Sequence, residues 1–275
     1  MVRPRSVRKT ENPLPLRMRP TEEDWKDTFS FYDAEHVGYG SSGSVLGINS
    51  KYVIKVFSQD EEGNVALECE KAAYEKLRSN EVLRKHIIEY VEEWESGLVL
   101  ERMGPTLRIH LTGLRIPPDP SLAYRWAIEA CEGLTFLHSR GILQGDVGCH
   151  NILIDGTGHV KLCDFAGSKI GEARSWVCYQ VRSQHPLYRG QQPTVKTEIF
   201  ALGSVLFEIW TGRPPYASET NAIVRERFLR QEFPTFEIDD PEMQRIIDSC
   251  WRGIYVRVAD ISSDLQSAWE DARAS

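Results

Sequence analysis

Apolar residues recur along this chain with two periods, and the change from one to the other divides it. Between positions 36 and 57 the spacing is short: HVGYGSSGSVLGI (36–48) sets β-branched residues among glycines, and KYVIKVF (51–57) follows the turn Asn49-Ser50. That pattern predicts two or three antiparallel strands. Residues 64–79 instead place Ala66, Glu70, Ala73 and Leu77 at i, i+4, i+7 and i+11, the period of one helix face. On such a helix Glu70 faces inward, whereas Glu68 shares a side with Lys71, Ala72 and Glu75 and meets water. SGLVLERM (96–103) reads as a further strand, completing a mostly β N-terminal half over 29–103.

From Ser121 onward the period becomes helical. Leu122, Trp126, Ala130, Leu134 and Leu137 mark a long helix, with Ser121 as its expected N-cap and Gly141 as its stop. NILID and HVKLCDF read as a hairpin turned at Gly156-Thr157-Gly158. Residues 168–196, with Pro186 and Pro193, show no period, and a loop of that length in a compact domain is usually functional. EIFALGSVLFEIWTG (198–212) is apolar nearly all round, as a helix buried among others would be. The remainder, through ADISSDLQSAWEDARA, supplies two or more amphipathic helices, so 104–275 forms a mainly helical half.

Composition adds bounds. At 275 residues, 41% hydrophobic and 27% charged, the chain is one large domain or two small ones. No run of about 18 apolar residues occurs, and MVRPRSVRKT lacks the apolar centre of a secretory signal, so a soluble intracellular protein without a membrane partner is expected. Cys69, Cys131, Cys149, Cys163, Cys178 and Cys250 are scattered without a C-x-x-C pair, which indicates neither zinc nor a disulfide framework and suits the cytosol or nucleus. Residues 1–20 carry six Lys or Arg against Glu11, while residues 21–275 hold 27 basic against 39 acidic residues, a net charge of −12. With Pro4, Pro13, Pro15 and Pro20, residues 1–28 read as a basic, extended tail. The acidic body excludes nucleic acid as the main partner, because phosphate binding needs a dense Lys/Arg surface.

Candidate chemistry begins at LQGDVGCHN (143–151). Gly145 and Gly148 argue against a helix through Asp146, so Asp146 and Asn151 sit on a tight loop feeding the strand ILI. Such a loop either lets both side chains bond their own backbone or turns a carboxylate and an amide toward one point. Upstream, G-x-G-x-x-G-x-V occurs as Gly38, Gly40, Gly43 and Val45, where missing side chains let backbone amides approach phosphate oxygens. Lys55 follows inside the strand, in V-I-K. A buried cation needs anionic partners: Glu70, a nucleotide's phosphates, or both.

CDFAG then supplies Asp164, thirteen residues after Asn151. With Gly-loop, strand Lys, helix Glu, loop Asp and Asn, D-F and buried helix all in order over about residues 30–271, the chain resembles the eukaryotic protein kinase family. The resemblance implies an α+β, bilobal protein-kinase-like fold, with a small β-rich lobe carrying one long helix and a larger helical lobe. It implies ATP and Mg²⁺ as cofactors and a protein substrate, and it leaves oligomeric state open. Asp146 would accept or orient the substrate hydroxyl, Asn151 and Asp164 would hold Mg²⁺, and Lys55, held by Glu70, would meet the α/β-phosphates. Val37, Val45, Val53 and Leu153 would sandwich adenine, with the backbone of Glu101 and Met103 at its edge; these apolar positions also suit plain core. Cys149 and His150 occupy positions that vary in the family, so neither is expected to carry mechanism.

Departures from the family are specific. Gln144 and Gly145 replace the His and Arg of H-R-D, Gly148 replaces a frequent Lys, Ala166 replaces the Gly of D-F-G, and Glu198 replaces an Asp. No A-P-E precedes Glu198; HPLYRG (185–190) occupies that region. Without the Arg, a phosphate on the activation segment loses its main electrostatic partner. These changes are expected to touch segment anchoring more than ATP chemistry. The loop G-D-x-G-C-x-N is also similar to variant, non-RD loops in kinase-like proteins of filamentous fungi. The reading is a protein kinase, with Ser/Thr favoured over Tyr, although Gly148 in place of the Lys removes the sequence label for that choice and leaves it open. A pseudokinase binding module and a small-molecule kinase of the aminoglycoside or choline type, whose H-G-D loop QGDVGCHN also resembles, are the alternatives.

Overall fold

The structure, a computed structural model, describes residues 25–274 apart from 41, 79–84, 96, 115, 173–174, 177–178, 189 and 191. Residues 1–24 of the expected tail, together with Cys178, lie outside the described residues. Residues 25–28 do not continue an extended tail. Trp25–Asp27 form a 3-10 turn, and Trp25 packs edge-on against Trp94 at 4.9 Å while Phe31 stacks on the same ring at 5.7 Å. Trp25 is buried by these contacts, which fixes the point where the chain joins the sheet.

The N-terminal lobe is a five-stranded antiparallel sheet in the order β1-β2-β3-β5-β4, formed by β1 (Glu35–Gly40), β2 (Gly43–Gly47), β3 (Tyr52–Phe57), β4 (Tyr90–Trp94) and β5 (Gly97–Glu101). One long helix, α1 (Glu61–Leu77), crosses it. It begins three residues before the sequence pattern suggested because the Asp60 carboxylate accepts the Gly63 N–H at 2.8 Å and caps its first turn. Strand β4 was not expected: YVEEW interrupts its apolar residues with two glutamates, which suits an edge strand and hides its alternation. The register sets Val45 opposite Lys55, and Lys55 opposite Leu98. Val45, Val53 and Lys55 therefore project from one face of the sheet.

The C-terminal lobe is helical. It contains α2 (Leu107–Gly113), α3 (Pro120–Ser139), α4 (Val195–Thr211), α5 (Asn221–Leu229), α6 (Pro241–Trp251) and α7 (Val258–Ala274). Ser121 is not the N-cap of α3. Asp119 is, accepting the Ser121 N–H at 2.9 Å, with Pro120 in the first turn where its missing N–H costs nothing. Helix α4 starts at Val195 through a reciprocal cap between Thr194 and Thr197 and is buried over Glu198–Trp210. The hairpin β7 (Ile152–Ile154) and β8 (Val160–Leu162) forms as the pattern indicated. The aperiodic segment contains a strand too short to read from sequence: β9 (Lys169–Ile170) pairs with β6 (Ile142–Leu143) and ties the segment's start to the loop carrying Asp146.

Main-chain bonds join the lobes along one side. The Leu162 N–H donates to the His86 carbonyl at 2.8 Å, the Ile88 N–H to the Leu162 carbonyl at 3.1 Å, and the Gly104 N–H to the Ile154 carbonyl at 2.8 Å. Beside them Lys161 Nζ lies 2.7 and 2.8 Å from the two oxygens of Glu101. No described helix is long and apolar enough to cross a membrane.

Candidate active site

Strand β3 delivers Lys55 between the lobes with only 6% of its surface exposed, so its charge requires compensation on the spot. Two carboxylates provide it: Glu70 Oε2 at 2.6 Å and Asp164 Oδ1 at 2.7 Å. Glu70 is the inward residue of α1 and is 1% exposed, while Glu68 faces water, as the helical period indicated. Burial opposes the charge on Lys55, but the two carboxylates outweigh it and push its pKa up. Burial dominates at Glu70 and raises its pKa, with Lys55 offsetting only part. At Asp164 burial is outweighed by the Lys55 ammonium, which holds the carboxyl below the usual range. Asp164 adopts φ 61, the left-handed region that a non-glycine residue enters at a cost.

Asp146 stands on the loop between β6 and the 3-10 turn Cys149–Asn151. Its Oδ2 accepts from His150 Nε2 at 3.0 Å and from Asn151 Nδ2 at 3.1 Å, and Asn151 Nδ2 also reaches the Asp146 carbonyl at 3.0 Å. Asp146 Oδ1 is buried and has no hydrogen-bond partner among the described residues. Of the sequence's two proposals for this pair, local bonding and convergence on one point, the loop satisfies both. Cys149 is buried, its Sγ 3.8 Å from the Val205 carbonyl, as a packing residue would be. His150 is the residue that sequence reasoning set aside. Its spacing of four from Asp146 across a tight loop was the available signal.

Asp146, Asn151 and Asp164 line one cavity of about 290 Å³, together with Ser42 of the β1–β2 hairpin, Gly63 and Ala66 of α1, and Trp176. The donor set suits a hard divalent cation: a carboxylate, an amide oxygen, and no thiol or imidazole needed. Among the described residues no group of three or more His, Cys, Asp and Glu could hold a metal alone, so further oxygen ligands would have to come from a bound molecule. Asn151 and Asp164 thus fit Mg²⁺ on phosphates.

The departures from the family have physical substitutes. Gln144 is buried, and its Nε2 donates to the Cys163 carbonyl at 2.9 Å, bracing the strand end that precedes Asp164. Glu198, fully buried, accepts the Gly145 N–H at 2.7 Å through one oxygen and lies 2.6 Å from His138 Nε2 through the other. Its reach brings it to the loop that carries Asp146. Gly145 has φ 79, and a Cβ there would stand 3.1 Å from the Gly167 carbonyl and 3.6 Å from Ser175 Oγ. Gly167 and Ser175 of the following segment thus stand beside the point where a side chain at position 145 would begin. Ser175 Oγ donates to the Gly167 carbonyl at 2.8 Å, and Gln192 Oε1 accepts the Ser175 N–H at 2.9 Å. Further along, Tyr179 Oη lies 3.2 Å from Thr197 Oγ1, His185 packs on Phe200 at 5.1 Å, and Arg182 binds the Glu219 carbonyl at 2.6 Å. These contacts hold the segment to α4 and to the turn before α5 where A-P-E is absent.

The expected adenine residues lie apart from that cavity's lining. Val53 is buried, and Val45, Met103 and Leu153 are partly buried against the core, while Val37 is exposed. Gly38 pairs with Val45 and Gly40 with Gly43 in the β1–β2 hairpin. The Glu101 N–H donates to the Glu89 carbonyl at 2.8 Å, so an adenine edge could meet the carbonyl of Glu101 and not its N–H.

A family model for the protein kinase domain matches residues 31–266. The chain belongs to the protein kinase domain family. Protein kinase C zeta type of Oryctolagus cuniculus is 30% identical over 195 residues, covering 66% of this chain and 33% of that protein. A probable serine/threonine-protein kinase of Dictyostelium discoideum is 26% identical over 230 residues, 74% of this chain and 44% of that protein. A probable receptor-like protein kinase of Arabidopsis thaliana is 30% identical over 252 residues, 83% and 28% of the respective chains. This kinase domain therefore spans less than half the length of these relatives.

Proposed function

We propose that this kinase domain transfers the γ-phosphoryl group of ATP to a protein hydroxyl, on Ser or Thr rather than Tyr. The observation that carries the reading is Lys55 bridging Glu70 and Asp164 beside the cavity into which Asp146 and Asn151 also open. Lys55 is a preplaced cation for the α/β-phosphates, and the Gly38–Gly43 hairpin offers backbone amides above them. Val45, Val53 and Leu153 would enclose the adenine, with Val37 closing over it and Glu101 and Met103 at its edge. Asn151 and Asp164 would hold Mg²⁺, which when bound neutralises charge on the β- and γ-phosphates.

Asp146 does the work at the acceptor. Its carboxylate lines the cavity and would take the hydroxyl proton as that oxygen bonds to the γ-phosphorus; the bond from phosphorus to the β,γ-bridging oxygen breaks and ADP departs. The Ser/Thr preference rests on the serine/threonine description of the Dictyostelium relative. The test is incubation with labelled ATP, Mg²⁺, generic protein acceptors and a panel of aminoalcohols. Label on protein Ser or Thr is expected. Label only on aminoalcohols, or nucleotide binding without transfer to any acceptor, would overturn the reading.

A further inference from the structure

We propose that His150 is a positioning residue for Asp146, and that Gly148 is glycine in order to admit the His150 ring. The inference rests on Asp146 being the group that meets the acceptor hydroxyl.

Gly148 has φ −176 and ψ 157, an extended backbone that any residue adopts, so backbone freedom does not explain a glycine here. Space does. A Cβ at Gly148 would lie 2.4 Å from His150 Cε1 and 2.5 Å from His150 Nδ1, well inside contact distance. The imidazole folds back across the loop and fills the place of the missing side chain. From there Nε2 reaches Asp146 Oδ2 at 3.0 Å. Nδ1 is buried without a hydrogen-bond partner among the described residues, so Asp146 is the contact that orients the ring. The nitrogen facing the carboxylate is the one that carries the hydrogen and donates.

With His150 and Asn151 both donating to Oδ2, the Asp146 carboxylate is held in one orientation at the cavity it lines, and Oδ1 takes no hydrogen bond from the described residues. Asn151 has a second duty as an expected metal ligand, so its amide is set by two demands. His150 has one. Removing the ring leaves Asn151 alone to hold the Asp146 carboxylate, so the loss falls on turnover more than on substrate affinity.

The experiment is steady-state phosphoryl transfer to a protein acceptor, with nucleotide affinity and melting temperature measured on the same proteins. His150→Ala should lower kcat on the order of ten- to a hundredfold, the effect of one hydrogen bond to a charged acceptor, with KM for ATP within about twofold. His150→Gln, whose amide nitrogen sits as far along the side chain as Nε2, should recover most of it. Gly148→Ala adds no backbone strain but displaces the ring, and should reproduce the His150→Ala loss. Combining Gly148→Ala with His150→Ala should cost nothing further, because both act through one contact. A His150→Ala protein with wild-type kcat overturns the inference, as do losses at the two positions that multiply, a loss confined to KM, or failure of His150→Gln to restore turnover in a folded protein. A wild-type protein that transfers to no protein acceptor instead refutes the kinase reading on which the inference rests.

Discussion

Replacing Lys55 with Met keeps the length of the side chain and removes its charge, and the consequence can be worked from its neighbours. Glu70 is 1% exposed and would lose its cation, whereas the Asp164 side chain is 30% exposed and keeps water. A buried carboxylate without a partner takes up a proton. That costs about 1.4 kcal/mol for each pH unit above its ordinary pKa of about 4.3, or about 1 kcal/mol at pH 5 and about 3.7 kcal/mol at pH 7. The sign follows from proton binding: the folded variant holds a proton that the unfolded chain has released, so its stability falls as pH rises from the unfolded pKa toward the folded one. Because burial already raises the Glu70 pKa in the wild type, Lys55→Met should lose at most about 2–4 °C of melting temperature relative to it at pH 5 and at most about 7–15 °C at pH 7. Lys55→Met combined with Glu70→Gln should lose that pH dependence. Thermal melts across pH 5–8 read this directly, and transfer from labelled ATP reads the chemistry. Glu68→Ala, on the water-facing side of α1, is the control and should remain within about twofold of wild-type activity. A deficit independent of pH, or wild-type turnover without Lys55, would refute the roles assigned to Lys55 and Glu70.

Asp146→Asn should bind nucleotide and not turn over, while Asp164→Asn should also lose the Mg²⁺-dependent part of nucleotide affinity; titration calorimetry with and without Mg²⁺ separates the two. Glu198→Ala strips the partner from the buried Gly145 N–H and should cost about 1–3 kcal/mol, seen as a lower melting temperature together with reduced transfer. Among candidate phospho-acceptors on the activation segment, Ser168, Tyr179 and Ser183 are buried, which leaves Ser175 and Tyr188 the more accessible. Because neutral bonds to Ser175 from within the segment occupy the space beside Gly145, phosphatase-treated protein should keep basal activity, and a hundredfold drop would show that another cation reads a phosphate there.

Periodicity exposed what depends on neighbours in sequence. The inward face of α1 and the pairing of β1, β2 and β3 follow from alternation or from a period of 3.6, whereas the pairing of Lys55 with Glu70 was implied by the family resemblance. Strands β6 and β9 are two residues each and exist through pairing across 28 positions between Ile142 and Ile170, so no local pattern announces them. Gln144 and Glu198 looked like losses because motif comparison scores residue identity, whereas the loop requires a donor to the Cys163 carbonyl and an acceptor for the Gly145 N–H. A glutamine amide and a longer carboxylate supply both. His150 was discounted for the same reason: its contact depends on the empty volume at Gly148, and a sequence records that volume only as a missing side chain.

The seam between the lobes is unequal in kind. At the back, backbone hydrogen bonds at His86, Ile88 and Gly104 are directional and indifferent to salt, and they act as the pin of a jaw. At the front, Lys55 joins the lobes through Asp164, a contact made by charge on the same ammonium that holds Glu70. The two sides of the seam therefore answer to different chemistry, one to backbone geometry alone and the other to the charges carried by three side chains.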